Sequence, residues 1–540
     1  MFTHIRMKLI EFYTKESTIS ATPIIISAVI SGIANGALLA IINQAAETAS
    51  YESLNFRYFL LFAIAMTIFV GTKKYALKRS TILAENVIKQ IRIRITDKIR
   101  HARLLFLEGL GKSEIYTRLT QDTNLISQSG IVIMNACQSA VMIFFASIYV
   151  AILSKMAFLI VLCAIGCAVV IYLSNLKEIH KDLHKATNKE TEFFDSLNDI
   201  LEGFKEIKIN KAKSDDLFDH FKDIGHSTED LKVNVGIKFV KNIIFANSSF
   251  YILMAVIVFL LPTLTPTYTD VIIKTTATIL FIIGPLGGVV EAIPFFSRAN
   301  VAIENLYQLE EALDSTGKDI FEVTEKRERF DIIQFDSVIF SYQDKEGVSM
   351  FTVGPVDLSI QRGEILFIVG GNGSGKSTVL KLLTGLYYPL SGIIKLDNTE
   401  ITTIYPAYRE LFSIIFMDFH LFKRLYGIKE VDMEKMNHLL ALTELDKKTK
   451  FIDGKFTNIN LSTGQRKRLA LIVALLEDKP VYVFDEVAAD QDPTFRKHFY
   501  EVMLRDLKNQ GKTVIVVSHD DRYFHVADRV LKMEYGKFVT

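Results

Sequence analysis

Long apolar blocks separated by basic stretches fill the first three hundred positions of the chain; shorter apolar runs punctuated by turn residues fill the rest. A helix needs about 20 mostly apolar residues to cross a bilayer. Six blocks read as spans: Ile19 to Ile42, Phe56 to Gly71, Ile131 to Leu153, Met156 to Leu173, Ile243 to Leu261 and Val271 to Pro294. The second is short, so its helix is expected to continue into the charged residues that follow. Twelve basic residues, from Lys73 to Arg118, lie between spans two and three, and lysines also crowd the segment from Lys177 to Lys241. The other connections are short and, apart from Lys155, nearly free of positive charge. This bias places both basic segments, the N-terminus and the C-terminal half in the cytoplasm.

Both basic segments keep helical periodicity with few breakers. One reading makes them solvated charged helices. The sharper reading extends spans two to five deep into the cytoplasm, with elbows near Gly111 to Arg118 and Glu202 to Ala212 that touch another domain. Among polar residues in the spans, Glu291 is either a candidate for a cargo or coupling role or a hydrated residue near the cytoplasmic end of span six. Asn135, Gln138 and Asn247 are expected to bond helix to helix. His180 and His184 are one turn apart but lack further metal ligands.

Composition sharpens this division. At 540 residues the chain exceeds one ordinary domain. Hydrophobic residues make up 49% and the mean hydropathy is +0.25, high for a water-soluble protein. A net charge of +1 gives no global pull toward nucleic acid. Cys137, Cys163 and Cys167 all fall in apolar blocks and suggest neither disulfides nor a metal site; Cys163 and Cys167 read as small buried residues. No cleavable signal peptide is expected, because Arg6, Lys8 and Lys15 precede the first block.

After the charged connector Glu322 to Glu328, the pattern becomes that of an α/β domain. The stretch GEILFIVGGNGSGKSTVLKLLTG reads as strand, glycine-rich loop and helix. Gly370, Gly375, Lys376 and Ser377 fit the phosphate-loop pattern G-x-x-x-x-G-K-[ST]. Its backbone N–H groups would wrap phosphate oxygens at a helix N-terminus. The candidate nucleotide-binding run is Gly370, Gly371, Asn372, Gly373, Ser374, Gly375, Lys376, Ser377 and Thr378. Lys376 would reach the β- and γ-phosphates, and Ser377 would ligate Mg²⁺. Farther on, VYVFDEVAADQDP is a buried strand that ends in four acids, Asp485, Glu486, Asp490 and Asp492. Such a cluster calls for a positive partner. Asp485 fits a Mg²⁺ ligand, and Glu486 fits the group that activates or orients the attacking water.

The stretch LSTGQRKRLALIVALL carries Leu461, Ser462, Gly464 and Gln465, with Thr463 where a glycine is usual. Here the chain resembles the ATP-binding-cassette (ABC) transporters, and specifically their exporter-type half-transporters. The resemblance implies a type IV exporter fold: six transmembrane helices in residues 1–321, an α/β P-loop nucleotide-binding domain in 322–540, and a homodimer. It implies ATP and Mg²⁺ as cofactors, ATP hydrolysis, and contact of Ser462, Gly464 and Gln465 with ATP held by the other subunit. Tyr342 resembles the aromatic that stacks on adenine, His519 the histidine that contacts the γ-phosphate, and Asp492 an aspartate acting across the dimer interface. Arg466, Lys467 and Arg468 are open to reading as a solvated helix face. Met417 stands where the family usually has a glutamine that senses Mg²⁺; Asp418 next door, or a water, is a candidate substitute.

The stretches EVAADQDP, FMDFHLF and EGFKEIKIN resemble the cyclic-peptide and siderophore-peptide branch, which includes the pyoverdine and syringomycin exporters. Typical members have Trp where this chain has Val487. That branch implies export of a cyclic, lasso-like or siderophore peptide across a bacterial inner membrane, with lipid around the spans and no nucleic-acid partner. A lipid or multidrug exporter, or a siderophore importer, would share the architecture. A soluble ABC ATPase acting on ribosomes or DNA is disfavoured by the six apolar spans.

Overall fold

Sustained apolar stretches become long helices in the first half of the chain. The computed structural model describes residues 11–17, 19–47, 55–264, 269–315, 329–344 and 348–539. The long helices are α1 (Thr22–Glu47), α2 (Phe56–His101), α4 (Thr123–Leu153), α5 (Lys155–Glu202), α7 (Lys211–Ala255) and α8 (Thr269–Ser315); α3 (Leu104–Leu110) and α6 (Phe204–Ile209) are short. Helix α2, with its 46 residues, extends about 69 Å at 1.5 Å per residue. That is more than twice the hydrocarbon thickness of a bilayer. The charged residues after Gly71 therefore continue the helix well past the membrane, as the pattern predicts.

Five helices among the described residues are long and apolar enough to cross a membrane. The fourth predicted span, Met156 to Leu173, lies on α5, where the described apolar run is Lys155–Cys167. Large apolar side chains such as Ile152, Phe259 and Phe144 stand exposed on these helices. Water would not tolerate so much exposed apolar surface, whereas hydrocarbon does. The three cysteines are exposed as well, and Cys163 and Cys167 are thus not buried as expected, because they stand on this outward apolar surface.

The chain divides into two compact units, residues 1–100 with 109–315, and residues 101–108 with 316–540. The expected boundary at 321/322 falls outside the described residues. The second elbow lies where predicted: α5 ends at Gly203, α6 follows, and the Asn210 side chain caps α7 by accepting the Lys213 N–H at 3.1 Å. The first elbow differs. Residues 101–108, not Gly111 to Arg118, group with the nucleotide unit. No glycine or proline marks the break at Ala102–Arg103. Packing fixes it: Arg103 lies 4.5 Å over the Tyr388 ring, and Leu104 joins the core of the nucleotide unit.

The nucleotide unit holds two main sheets. Strands β1 (Ile332–Gln343), β2 (Ser349–Gln361), β4 (Ser391–Leu396) and β5 (Thr399–Glu400) form an antiparallel sheet in the order β2-β1-β4-β5. A second sheet has the order β12-β11-β3-β10-β9-β6. Its strands are β3 (Ile365–Val369), β6 (Phe412–Ile415), β9 (Val481–Asp485), β10 (Thr513–Val517), β11 (Arg529–Glu534) and β12 (Lys537–Val539); β7 (Phe451–Ile452) and β8 (Lys455–Phe456) pair separately. All pairs from β11 to β6 are parallel. Every residue of β9 and β10 is buried, which is why both read as unbroken apolar runs.

Candidate functional site

In an open parallel sheet, ligands gather at the carboxyl ends of the strands. The loops after β3, β6, β9 and β10 meet there. After β3, Gly370, Gly373 and Gly375 have φ of +149°, +76° and +103°. A side chain at Gly370 would place its Cβ 2.2 Å from the Met533 carbonyl oxygen, so the tight turn into helix α9 (Lys376–Leu383) excludes one. Lys376 is almost fully buried, and its Nζ donates to the Gly370 and Gly371 carbonyls, both at 2.9 Å. Burial lowers its pKa, and the nearby carboxylates of Glu486 and Asp485 oppose that shift. The buried Ser374 hydroxyl has no partner among the described residues. A loop with a desolvated cation and an orphaned hydroxyl suits an incoming anion.

Asp485 ends β9 and is 3% exposed. The Ser377 hydroxyl donates to it at 3.2 Å. Burial raises its pKa, and hydrogen bonds from Ser377 and the Met417 backbone oppose the rise. Glu486 follows with φ of +55°, a conformation that costs a residue with a Cβ of order 1–3 kcal/mol. Its backbone N–H bonds the Val517 carbonyl at 3.2 Å. The His519 Nε2 lies 3.0 Å from its carboxylate. Two strand ends therefore hold the glutamate and the histidine side by side.

On β1, the Tyr342 hydroxyl is 3.2 Å from the Thr378 hydroxyl and donates to the Tyr387 hydroxyl at 3.4 Å. Tyr387 in turn donates to Glu108, and Lys381 bonds the other oxygen of that carboxylate at 2.8 Å. A chain of side chains thus runs from Tyr342 to the segment that continues α2. Tyr387 and Glu108 carry no motif, and only the fold brings them together. Gly371, Asn372 and Gly373 lie on the exposed side of the loop, and Thr378 is buried in α9.

Ser462 and Gln465 form a reciprocal capping box at the start of helix α10 (Thr463–Glu477). The Gly464 carbonyl accepts from the buried Gln491 amide at 2.9 Å. Lys467 and Arg468 do not form a solvated face; both are buried. Lys467 donates to the Glu486 carbonyl at 2.9 Å and pairs with Asp490 at 2.7 Å. Arg468 bonds Gln491 at 2.9 Å, the Thr443 carbonyl at 3.1 Å, Glu444 and Asp492. Asp492 also caps the next helix by accepting the Thr494 and Phe495 N–H groups. Lys467 and Arg468 are thus the positive partners that neutralise two of the four acids. Their spacing on an amphipathic helix carries no signal of this role, since the acids they meet are more than twenty residues away.

Comparison with known proteins follows the same division. Residues 353–489 match the ABC transporter model, and residues 17–282 match the ABC transporter transmembrane region. The "ATP-binding protein SyrD" of Pseudomonas syringae pv. syringae is 30% identical over 536 residues, 96% of this chain and 93% of that protein. The chain belongs to the ABC transporter family. The "Mycobactin import ATP-binding/permease protein IrtB" of Mycolicibacterium thermoresistibile is 34% identical over 223 residues, 38% of this chain and 37% of that protein. The "ATP-dependent lipid A-core flippase" of Sodalis glossinidius is 29% identical over 295 residues, 51% of this chain and 49% of that protein. This transporter is a multi-pass membrane protein with a type IV exporter-like fold whose nucleotide unit binds and hydrolyses ATP.

Proposed function

We propose that this ABC transporter is a homodimeric half-transporter, divided at residues 321/322, that exports a cyclic, lasso-like or siderophore peptide across a bacterial inner membrane. The observation that carries this reading is full-length similarity to SyrD across both halves, whereas the flippase match covers about half of each chain. The branch-like stretches EVAADQDP and FMDFHLF support the peptide class. Import is the second reading, favoured by the match to a protein named for mycobactin import. Leu201, Phe204 and Ile209 stand exposed at the second elbow, an apolar tip that suits docking on a second copy.

ATP would lie along the loop from Gly370 to Thr378, with its adenine stacked on Tyr342 and its phosphates held by Lys376. The Ser377 hydroxyl and Asp485 carboxylate, 3.2 Å apart, are hard oxygen donors that fit Mg²⁺. Mg²⁺ would neutralise charge between the β- and γ-phosphates. Glu486 takes a proton from water as the water oxygen bonds the γ-phosphorus; the bond to the bridging oxygen breaks and ADP leaves. His519 orients Glu486 and faces the γ-phosphate. Ser462, Gly464 and Gln465 meet the ATP of the partner subunit, with Asp492 beside that interface. Binding of two ATP molecules closes the cytoplasmic units and opens the cavity outward, and hydrolysis resets it.

The test is ATP-dependent uptake of a peptide panel into inside-out vesicles. Uptake of a cyclic peptide, lasso peptide or siderophore supports export; ATP-dependent loss of preloaded siderophore from such vesicles supports import instead.

A further inference from the structure

Helices α1, α2, α4 and α8 of the membrane unit line a half-open cavity of about 210 Å³. Its polar lining comes from Ser31, Asn35, Lys73, Asn135, Gln138 and Ser139. Two of these side chains are more than nine-tenths buried and lack any partner among the described residues: the Ser31 hydroxyl and the Gln138 Nε2 amide. Gln138 was expected to bond another helix, and its amide nitrogen does not among the described residues. Among the described residues the Asn35 amide donates only to the Met142 sulfur at 3.3 Å, a weak acceptor. Lys73 makes no ion pair among the described residues, and its Nζ lies 5.4 Å over the Phe69 ring. Glu291 is exposed elsewhere on α8 and takes no part.

Unpaired polar groups inside a bilayer are costly. Here they converge on one space, with one positive charge and no carboxylate in the lining. That is a donor set for an anionic oxygen group. Size narrows the class. The volume is below the roughly 300–1,000 Å³ that encloses a drug-sized molecule, so the space takes a side chain or head group, not a whole macrocycle. The walls are close-packed: a Cβ on Gly32 would come within 2.6 Å of Val141. Under the proposed orientation the cavity lies in the cytoplasmic half of the spans, since Lys73 directly follows span two on its cytoplasmic side.

We infer that this cavity binds a carboxylate of the cargo, with Lys73 as the counter-charge and Ser31 and Gln138 as hydrogen-bond donors. This inference rests on the peptide-export reading and names the chemistry that export selects. It predicts that an acidic peptide is taken up in preference to its neutral twin.

The experiment uses inside-out vesicles containing the full transporter and matched pairs of cyclic heptapeptides and lasso peptides. Each pair carries either aspartate or asparagine at one position. The aspartate form should half-saturate ATP-dependent uptake at about a tenfold lower concentration. Lys73→Met should erase that preference and Lys73→Arg should restore it. Gln138→Leu should raise the half-saturating concentration of both forms. Equal uptake of both forms by the unaltered protein overturns the carboxylate site but leaves peptide export standing, and this comparison needs no variant to fold. Uptake of no pair, with ATP hydrolysis intact, overturns peptide export and the site with it.

Discussion

Two places in the transporter, the loops at the sheet edge of the nucleotide unit and the cavity of the membrane unit, treat their buried polar groups differently. In the nucleotide unit, Lys376, Asp485, Lys467 and Arg468 are all buried and each is bonded within its own unit. In the membrane unit, Ser31 and Gln138 are buried and unpaired around a cavity. Buried charge is tolerated only when paired, so these pairs hold the candidate site in one geometry. Unpaired groups gathered around one open space are suited to a ligand. Ser374 makes the same point within the nucleotide unit, since its orphaned hydroxyl lies in the phosphate loop itself.

Four substitutions would break or sharpen this contrast. The largest effect is expected from Glu486→Gln, which should lower ATP turnover by about 10²–10⁴-fold while nucleotide binding persists. Phosphate release and binding of a fluorescent ATP analogue check the two halves of that statement. Next is Arg468→Ala. It strips hydrogen bonds from buried Gln491 and the Thr443 carbonyl and should destabilise the transporter by about 2–3 kcal/mol. Its carboxylate partners are largely exposed and stay hydrated, so the cost remains below that of a fully buried pair. Thermal unfolding of the detergent-solubilised protein measures it.

Tyr387→Phe is expected to act more mildly. It removes the hydroxyl between Tyr342 and Glu108, so the KM for ATP should rise by up to about tenfold while kcat changes less. An equal fall in kcat would mean that Tyr387 does more than position Tyr342. The smallest effect belongs to Arg466→Ala. Among the described residues the Arg466 side chain only stacks 5.8 Å over Phe419, so stability should move by no more than about 0.5 kcal/mol. A cost equal to that of Arg468→Ala would dissolve the distinction drawn between neighbouring residues of one helix.

The same contrast governs what could be read from the sequence. The glycine loop after β3, the strand ending in Asp485 and the start of α10 each keep their candidate residues on consecutive positions, so spacing alone proposes them. Span positions and the second elbow are equally legible, because apolar runs and Gly203 with Asn210 leave local marks. The first elbow is not, since residues 101–108 are held by Tyr388 and Glu108 contacts nearly three hundred positions apart in sequence. Lys467 and Arg468 look like surface charges until the fold brings Glu486 and Gln491 to them. The cavity draws its lining from four helices far apart in sequence and has no local signature at all.

Energy conversion by this chain is tested most directly by ATP-driven uptake of peptide cargo into inside-out vesicles, run in parallel with Glu486→Gln. The account predicts that at least one cyclic, lasso or siderophore peptide accumulates with the unaltered transporter and that accumulation vanishes in the variant. Accumulation that persists in Glu486→Gln, or uptake of no peptide by a transporter that still hydrolyses ATP, would contradict it.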